Sequence, residues 1–284
     1  MSPLALYFLI LILAGFGITI SYLLLRPGRY TPWERCLYAP VYVIARFLWR
    51  VEICRRDPNS GEWKPTRRLL VDDAETWDYT PKKLGAIVIA NHRSSVDPFF
   101  IQIAAGARVH WMVAGEYFKT WIVGSLLRTY QAIPTNRKGV DTASTKKAIA
   151  LASQGSFVGM FPEGRINRTD QPFIPVRPGA AIVALRAGVP IVPVWITGAR
   201  MGSSVISPLF MPTQVRIHIC DANSWGLEQL KLNDGRSDRE IANEWIRVAI
   251  AQCLKDVGVQ SNDIQLAGAS WMASIPDSAI SSTD

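Results

Sequence analysis

The stretch NHRSSVDPFF, residues 91–100, sets an imidazole, His92, five positions ahead of a carboxylate, Asp97, in a chain with three histidines. A carboxylate bonded to one ring nitrogen fixes the tautomer and leaves the other nitrogen as a base poised near neutral pH. On a regular helix five residues amount to about 140° of rotation, too far for the two side chains to meet. They meet if His92 stays in a loop and a helix opens just after it, with Ser94 or Ser95 as N-cap and Pro98 in the first turn. Asp97 then reaches back from that turn towards the loop. A second reading stands beside this one: Asp97 only caps the helix, and His92 satisfies a strand end. The spacing alone does not separate them.

The surrounding pattern says what would hold the pair. AIVIA, residues 86–90, runs directly into Asn91, and short apolar runs recur at 109–114, 132–135, 157–161, 190–196 and 215–219. Helical stretches are predicted between most of them, at 98–105, 121–130, 142–153 and 179–187. A last amphipathic helix is predicted at 238–257, opened by Ser237 or Asp238 as cap. Near-continuous apolar strands alternating with helices predict an α/β fold with a largely parallel sheet flanked by helices. In such sheets ligand groups gather at the carboxyl ends of the strands. Asn91 and His92 follow AIVIA, Glu163, Gly164 and Arg165 follow FVGMFP, and Arg137 lies just past AIPT. Three strand ends thus present one imidazole, two carboxylates and two guanidiniums to what could be a single crevice.

Upstream, residues Leu4 to Leu25 carry no charge and reach roughly 33 Å as a helix, enough to cross a bilayer. No basic segment precedes the run and no small-residue cleavage site follows it, so it reads as a retained anchor and not as a removed signal. The net charge of +8 is concentrated between Arg26 and Arg68, with about ten basic residues against four acidic ones. Basic residues just after a spanning helix place the following chain on the cytoplasmic face. Residues 37–54 mix aromatics with Arg46 and Arg50 and read as an interfacial helix anchored by Tyr38, Tyr42, Phe47 and Trp49. An amphipathic helix packed on the body is the alternative. The chain therefore divides into a membrane anchor with interfacial helix (1–54), a polar excursion (55–84) with a short strand near 68–71, the main domain (85–257) and a flexible tail (258–284). No nucleic-acid motif accompanies the basic character. The four cysteines have no metal or disulfide spacing and read as small buried hydrophobes, and no metal is expected. His110 and His218 sit within apolar runs and read as structural.

NHRSSVD, AIPTNR, FPEGR and VPIVPV, in this order over residues 85–200, resemble the glycerophospholipid acyltransferase family. Its N-H-x-x-x-x-D pattern falls on Asn91, His92 and Asp97. Its second block ends on Arg137, with Gln131 where the family has glycine. Its third block matches Phe161 to Gly164, then departs: Arg165 and Ile166 stand where the family has threonine and arginine. The resemblance implies transfer of an acyl chain from a thioester to a glycerol hydroxyl, with His92 as base and Asp97 as its orienter. It implies a phosphate site holding Arg137 and the third block, to which Arg165 or Arg168 would restore the missing charge. Asn91, Glu163 and Gly164 join that substrate site, and backbone N–H groups near Gly164 or at the helix N-terminus after His92 are candidate oxyanion donors. No cofactor is implied beyond the co-substrate, acyl-CoA or acyl carrier protein. The partners implied are membrane lipids and a lysophospholipid acceptor, most simply 1-acylglycerol-3-phosphate. Another lyso-lipid acceptor, a hydrolase and a non-catalytic lipid-binding protein stand as alternatives. Ser94 and Ser95 read as helix caps, since no G-x-S-x-G elbow occurs.

Overall fold

The run AIVIA becomes β3 (Ala86–Ala90), buried at every position. It lies between two parallel neighbours, β6 (Phe157–Met160) and β7 (Ile191–Thr197). Both its faces and both its edges are covered, which is why the run shows no polar alternation. Beyond β6 the sheet continues in parallel through β4 (Val109–Ala114) to β5 (Ile133–Thr135). Beyond β7 it continues through β8 (Arg216–Ile219) and β1 (Glu52–Arg56) to β2 (Trp63–Pro65), giving the order β2-β1-β8-β7-β3-β6-β4-β5. The computed structural model describes residues 3–24, 29–57, 59–70, 72, 85–136, 141–220 and 235–259.

Helices cover both faces, and alternate residues of β3 show which layer each face meets. Ala86, Val88 and Ala90 join Val41 and Ala45 of α2 (Pro32–Phe47) and Phe100 and Ile101 of α3 (Asp97–Ala105). Ile87 and Ile89 join Ala148 and Ala152 of α5 (Thr142–Ser153), Ala184 of α6 (Gly179–Ala187) and Trp245 of α7 (Asp238–Asp256). Small residues on α5 and α6 bring their backbones close to the sheet. α4 (Trp121–Thr129) follows β4 and precedes β5. The helices α3 to α7 keep within a residue of the expected stretches, and Ser237 caps α7 with Glu240 in a capping box.

The run at 215–219 departs from expectation. β8 is antiparallel to β7, because the intervening chain holds only a 3-10 turn (Ser207–Phe210) and no crossover helix, which a parallel return needs. Residues 37–54 are not one interfacial helix. They divide into most of α2 and the start of β1, and α2 opens earlier, where Thr31 and Glu34 form a capping box. Tyr38 and Trp49, expected as interfacial anchors, are core residues, and Trp49 meets Phe100 edge to face at 5.0 Å. Tyr42 is half-buried and donates to the Ile103 carbonyl; of the four only Phe47 is exposed. Arg50 lies past the helix at φ 42° and shares no helical face with Arg46. One face of α2 is packed on the body, while positions 33, 36, 40, 43 and 47 are exposed.

In the polar excursion, β1 and β2 form a hairpin whose turn is closed by Asp57 Oδ1, which accepts from the N–H groups of Asn59 and Ser60. The strand expected near 68–71 is not found among the described residues; Leu69 and Leu70 are buried in the core instead. Val71, residues 73–84 and most of the expected tail, 260–284, lie outside the described residues. Cys54, Cys220 and Cys253 are buried, but Cys36 is exposed on the outer side of α2. The charge-free run upstream forms α1 (Pro3–Leu24), with residues 4–18 exposed. Among the described residues no helix is long and apolar enough to cross a membrane.

The register of β4 on β6 sets Trp111 opposite Gly159. A Cβ on Gly159 would come within 2.6 Å of the indole, so only glycine lets that ring lie over β6. Gly159→Ala is expected to lower stability by about 1–3 kcal/mol through overpacking. A lower denaturation midpoint at unchanged m-value would register it.

Candidate active site

His92 leaves the carboxyl end of β3 and is held from four directions. Its N–H donates to Glu163 Oε1 at 2.8 Å, and its carbonyl accepts from Asn167 N–H at 2.7 Å. Its ring stacks on Phe161 with centroids 3.9 Å apart and planes 10° from parallel, and Phe161 in turn stacks on Trp111. Its Nδ1 lies 3.0 Å from Asp97 Oδ2. A carboxylate at that distance takes the Nδ1 proton as its hydrogen bond, so the lone pair falls on Nε2. The side chain keeps 16% of its surface exposed. A fixed imidazole with one engaged and one accessible nitrogen can serve as a general base.

Asp97 is fully buried in the first turn of α3. Besides His92, its Oδ2 accepts from the N–H groups of Arg93 and Ser94, each at 2.7 Å. The two sequence readings therefore both hold in part: the same carboxylate closes the turn and orients the ring. Burial pushes the Asp97 carboxyl upward, opposed first by the bond to His92 and then by the backbone N–H groups. Its other oxygen has no hydrogen-bond partner among the described residues. Ser94 and Ser95 are not the caps expected of them: the N-cap position is Val96, and no side chain caps the helix. The Ser94 hydroxyl is buried without a partner among the described residues, and Ser95 Oγ donates to the Val205 carbonyl at 2.7 Å.

The other expected substrate residues are placed differently. Asn91 is buried and its side-chain amide is spent on β7: Nδ2 donates to the Ile196 carbonyl at 2.9 Å and Oδ1 accepts from Ile196 N–H at 2.8 Å. It positions the strand end and does not face the crevice. Glu163 is likewise buried, with Oε1 on His92 N–H and Oε2 on Ile174 N–H at 3.0 Å. Burial pushes its carboxyl upward, against the pull of those two donors. Gly164 takes φ 68°, and its N–H already donates to the Phe161 carbonyl at 3.0 Å. At the helix N-terminus after His92, the N–H groups of Asp97 and Phe99 donate to the Ser94 and Val96 carbonyls. Arg165 and Arg168 are exposed on the loop after Glu163. Arg137 lies outside the described residues.

Several residues escaped the sequence reading. Arg93 donates to the Thr169 and Gln171 carbonyls, tying the His92 turn to the loop after β6. Asn167, fully buried, ties that loop to itself through the Gln171 carbonyl and Thr169 while its N–H holds His92. Arg177 donates its N–H to the Pro162 carbonyl and lays its guanidinium against Gly164. None carries a spacing signal, since each acts across the sheet. His110 Nδ1 donates to the Gln131 carbonyl 3.1 Å away, and burial lowers its pKa. It lines a cavity of about 280 Å³ with Arg29, Glu34 and Arg108. That cavity opens at the amino ends of β4 and β6, the opposite end of the sheet from His92, and Glu34 there is already paired with Arg108. Among the described residues no cluster of three or more His, Cys, Asp or Glu could hold a metal ion.

A family profile described as Acyltransferase matches residues 73–197, a span that contains the His92–Asp97 pair, Glu163 and β7. Over that span, a little under half of its length, the chain is similar to acyltransferases. It is 30% identical over 128 residues to the 1-acyl-sn-glycerol-3-phosphate acyltransferase of Bacillus subtilis, covering 44% of this chain and 62% of that one. It is 26% identical over 134 residues to the enzyme of the same name from Borreliella burgdorferi, covering 46% and 52%. The matched stretch is thus less than two thirds of either relative's length. The crystal structure of the 1-acyl-sn-glycerophosphate acyltransferase PlsC from Thermotoga maritima is similar with a TM-score of 0.48 at 17% identity, over 88% of this chain and 90% of that one.

Glu163 needs both its oxygens to be acceptors, so Glu163→Gln turns an amide NH₂ towards one of two buried N–H groups. A loss of about 1–3 kcal/mol is expected from that unsatisfied donor. Thermal unfolding should show it.

Proposed function

We propose that this protein is a membrane-bound acyltransferase that moves a fatty acyl chain from a thioester to a hydroxyl of a lysophospholipid. The acceptor proposed is 1-acylglycerol-3-phosphate, giving phosphatidic acid. The observation that carries the reading is the His92 Nδ1 to Asp97 Oδ2 contact of 3.0 Å at the end of β3, inside the segment that matches the acyltransferase profile. The names of the curated relatives support the choice of acceptor.

In this reading His92 Nε2 takes the proton of the acceptor hydroxyl as its oxygen bonds to the thioester carbonyl carbon. Asp97 holds the ring and stabilises the imidazolium that results. The tetrahedral adduct then collapses, the carbon–sulfur bond breaks, and the imidazolium proton goes to the departing thiolate. Ester and free thiol are the products, and no enzyme nucleophile is consumed. Arg137 and Arg165 hold the acceptor phosphate, with Arg177 against Gly164 as a third cation. The acyl donor is acyl-CoA or acyl carrier protein. α1 anchors the chain, and the basic stretch from Arg26 to Arg68 keeps the catalytic domain on the cytoplasmic face.

A different lyso-lipid acceptor is the second reading, favoured by the third block, where Arg165 and Ile166 depart from the family's residues. An acceptor screen with a labelled acyl thioester, read by lipid mass spectrometry, decides between them. His92→Ala is expected to lower the transfer rate about a hundred- to ten-thousandfold. A rate equal to wild type would remove His92 from the chemistry. Arg165→Ala is expected to raise the KM for a phosphate-bearing acceptor and to leave an acceptor without phosphate unaffected; steady-state kinetics on both acceptors provide the check.

A further inference from the structure

The chain between β7 and β8, residues 198–215, carries exposed apolar side chains next to the catalytic turn. Met201, Val205, Ile206 and Phe210 all point to solvent, Phe210 with 72% of its surface exposed. The segment is nevertheless well fixed. Ser95 Oγ donates to the Val205 carbonyl at 2.7 Å, three residues along from His92. Ser204 and Ser207 bond to each other's backbone N–H groups, and Pro208 is buried beneath them. Leu209 packs on the core cluster of Trp49 and Phe100. Thr213 N–H donates to the Leu48 carbonyl at 3.1 Å, tying the segment to the end of α2.

That attachment joins the end of the segment to the end of α2, where Phe47, which is 72% exposed, directly precedes Leu48. At its other end, Val205 beside Ile206 is bonded to Ser95, three residues from His92. Exposed Arg46, Arg50 and Arg200 flank these stretches. Large apolar side chains held outward on a fixed segment, with a cationic rim, match a lipid surface bearing anionic headgroups.

We propose that residues 201–210 form an apolar flap that enters an anionic lipid surface and carries lipid substrate from it to His92. The proposal rests on the membrane-acyltransferase reading and goes beyond it by naming where lipid approaches the site. α1 would tether the chain, whereas the flap decides whether a tethered enzyme can draw on lipid in the bilayer.

The test compares two acceptors on the full chain: a long-chain lyso-lipid held in vesicles containing anionic phospholipid, and a short-chain acceptor dissolved as monomer. Ile206→Ser/Phe210→Ser is expected to lose about tenfold in rate on the vesicle acceptor, since two apolar side chains no longer leave water. Its rate on the monomeric acceptor should stay within about twofold, the flap making no part of the base or its orienter. Phe210→Leu should restore most of the vesicle rate. Equal losses on both acceptors, or no loss on vesicles, would overturn the proposal. A second measurement does not depend on turnover: a polarity-sensitive dye on Cys36→Ser/Ile206→Cys should shift to the blue with anionic vesicles and be quenched by brominated acyl chains. An unchanged spectrum, or a shift produced by a second copy of the chain without lipid, would sink the flap. If wild type acylates neither acceptor but the dye still enters the bilayer, it is the acyltransferase reading that fails.

Discussion

Asp97 Oδ2 accepts from a ring nitrogen and two backbone N–H groups at once, and the shape of the site follows from that single atom. A fully buried carboxylate costs several kcal/mol of desolvation unless donors replace its water. Charge-assisted bonds of this kind each return about 1.5–3 kcal/mol. The turn from Arg93 to Asp97 is therefore wound around the carboxylate to supply them, and the winding is what carries Asp97 back to His92. Five residues separate the pair, yet they meet, because the donors that compel the turn lie between them. Closing the turn and holding the ring draw on the same oxygen.

The rest of the site is a set of clamps thrown across adjacent strand ends. β7, β3 and β6 are neighbours in the sheet, and each contributes one restraint on His92 or its strand. Asn91 fastens the end of β3 to Ile196 of β7. Glu163, following β6, grips the His92 backbone from the other side, and Asn167 returns along the same loop to grip its carbonyl. Phe161 closes the stack from beneath, supported by Trp111 of β4 through the space that Gly159 leaves. Each group is buried and nearly saturated with partners, so the imidazole has little freedom in backbone or ring. In the proposed transfer, a rigid imidazole at a strand end leaves the two lipid chains as the mobile parts.

Much of this architecture could be read in advance. The apolar runs from Ala86 onward became strands and the intervening stretches became helices with ends displaced by a residue or less, because period, length and turn residues agreed at each. Legibility failed where local pattern and tertiary burial disagree. Tyr38 and Trp49 looked like interfacial anchors since aromatics beside arginines suit a headgroup region, but the core took them. Residues 51–54 looked like the end of a helix, but Glu52–Arg56 became a strand because β8 offered a free edge. Asn91 and Glu163 were read as substrate contacts from their types and place; their partners, Ile196 and Ile174 among them, are too remote in sequence to be anticipated.

By itself the sequence determined the largely parallel α/β frame, the placing of one histidine and one aspartate in the turn after a strand, and the uncharged run upstream, since each rests on local period, spacing or composition. The tertiary structure alone decided which polar groups face the reaction and which hold its base in place. That distinction depends on hydrogen-bond partners brought together by strand order, and strand order is a property of the whole sheet. NHRSSVD places His92 and Asp97 in one turn; only the packing of β6 and β7 beside it leaves the imidazole fixed and partly exposed.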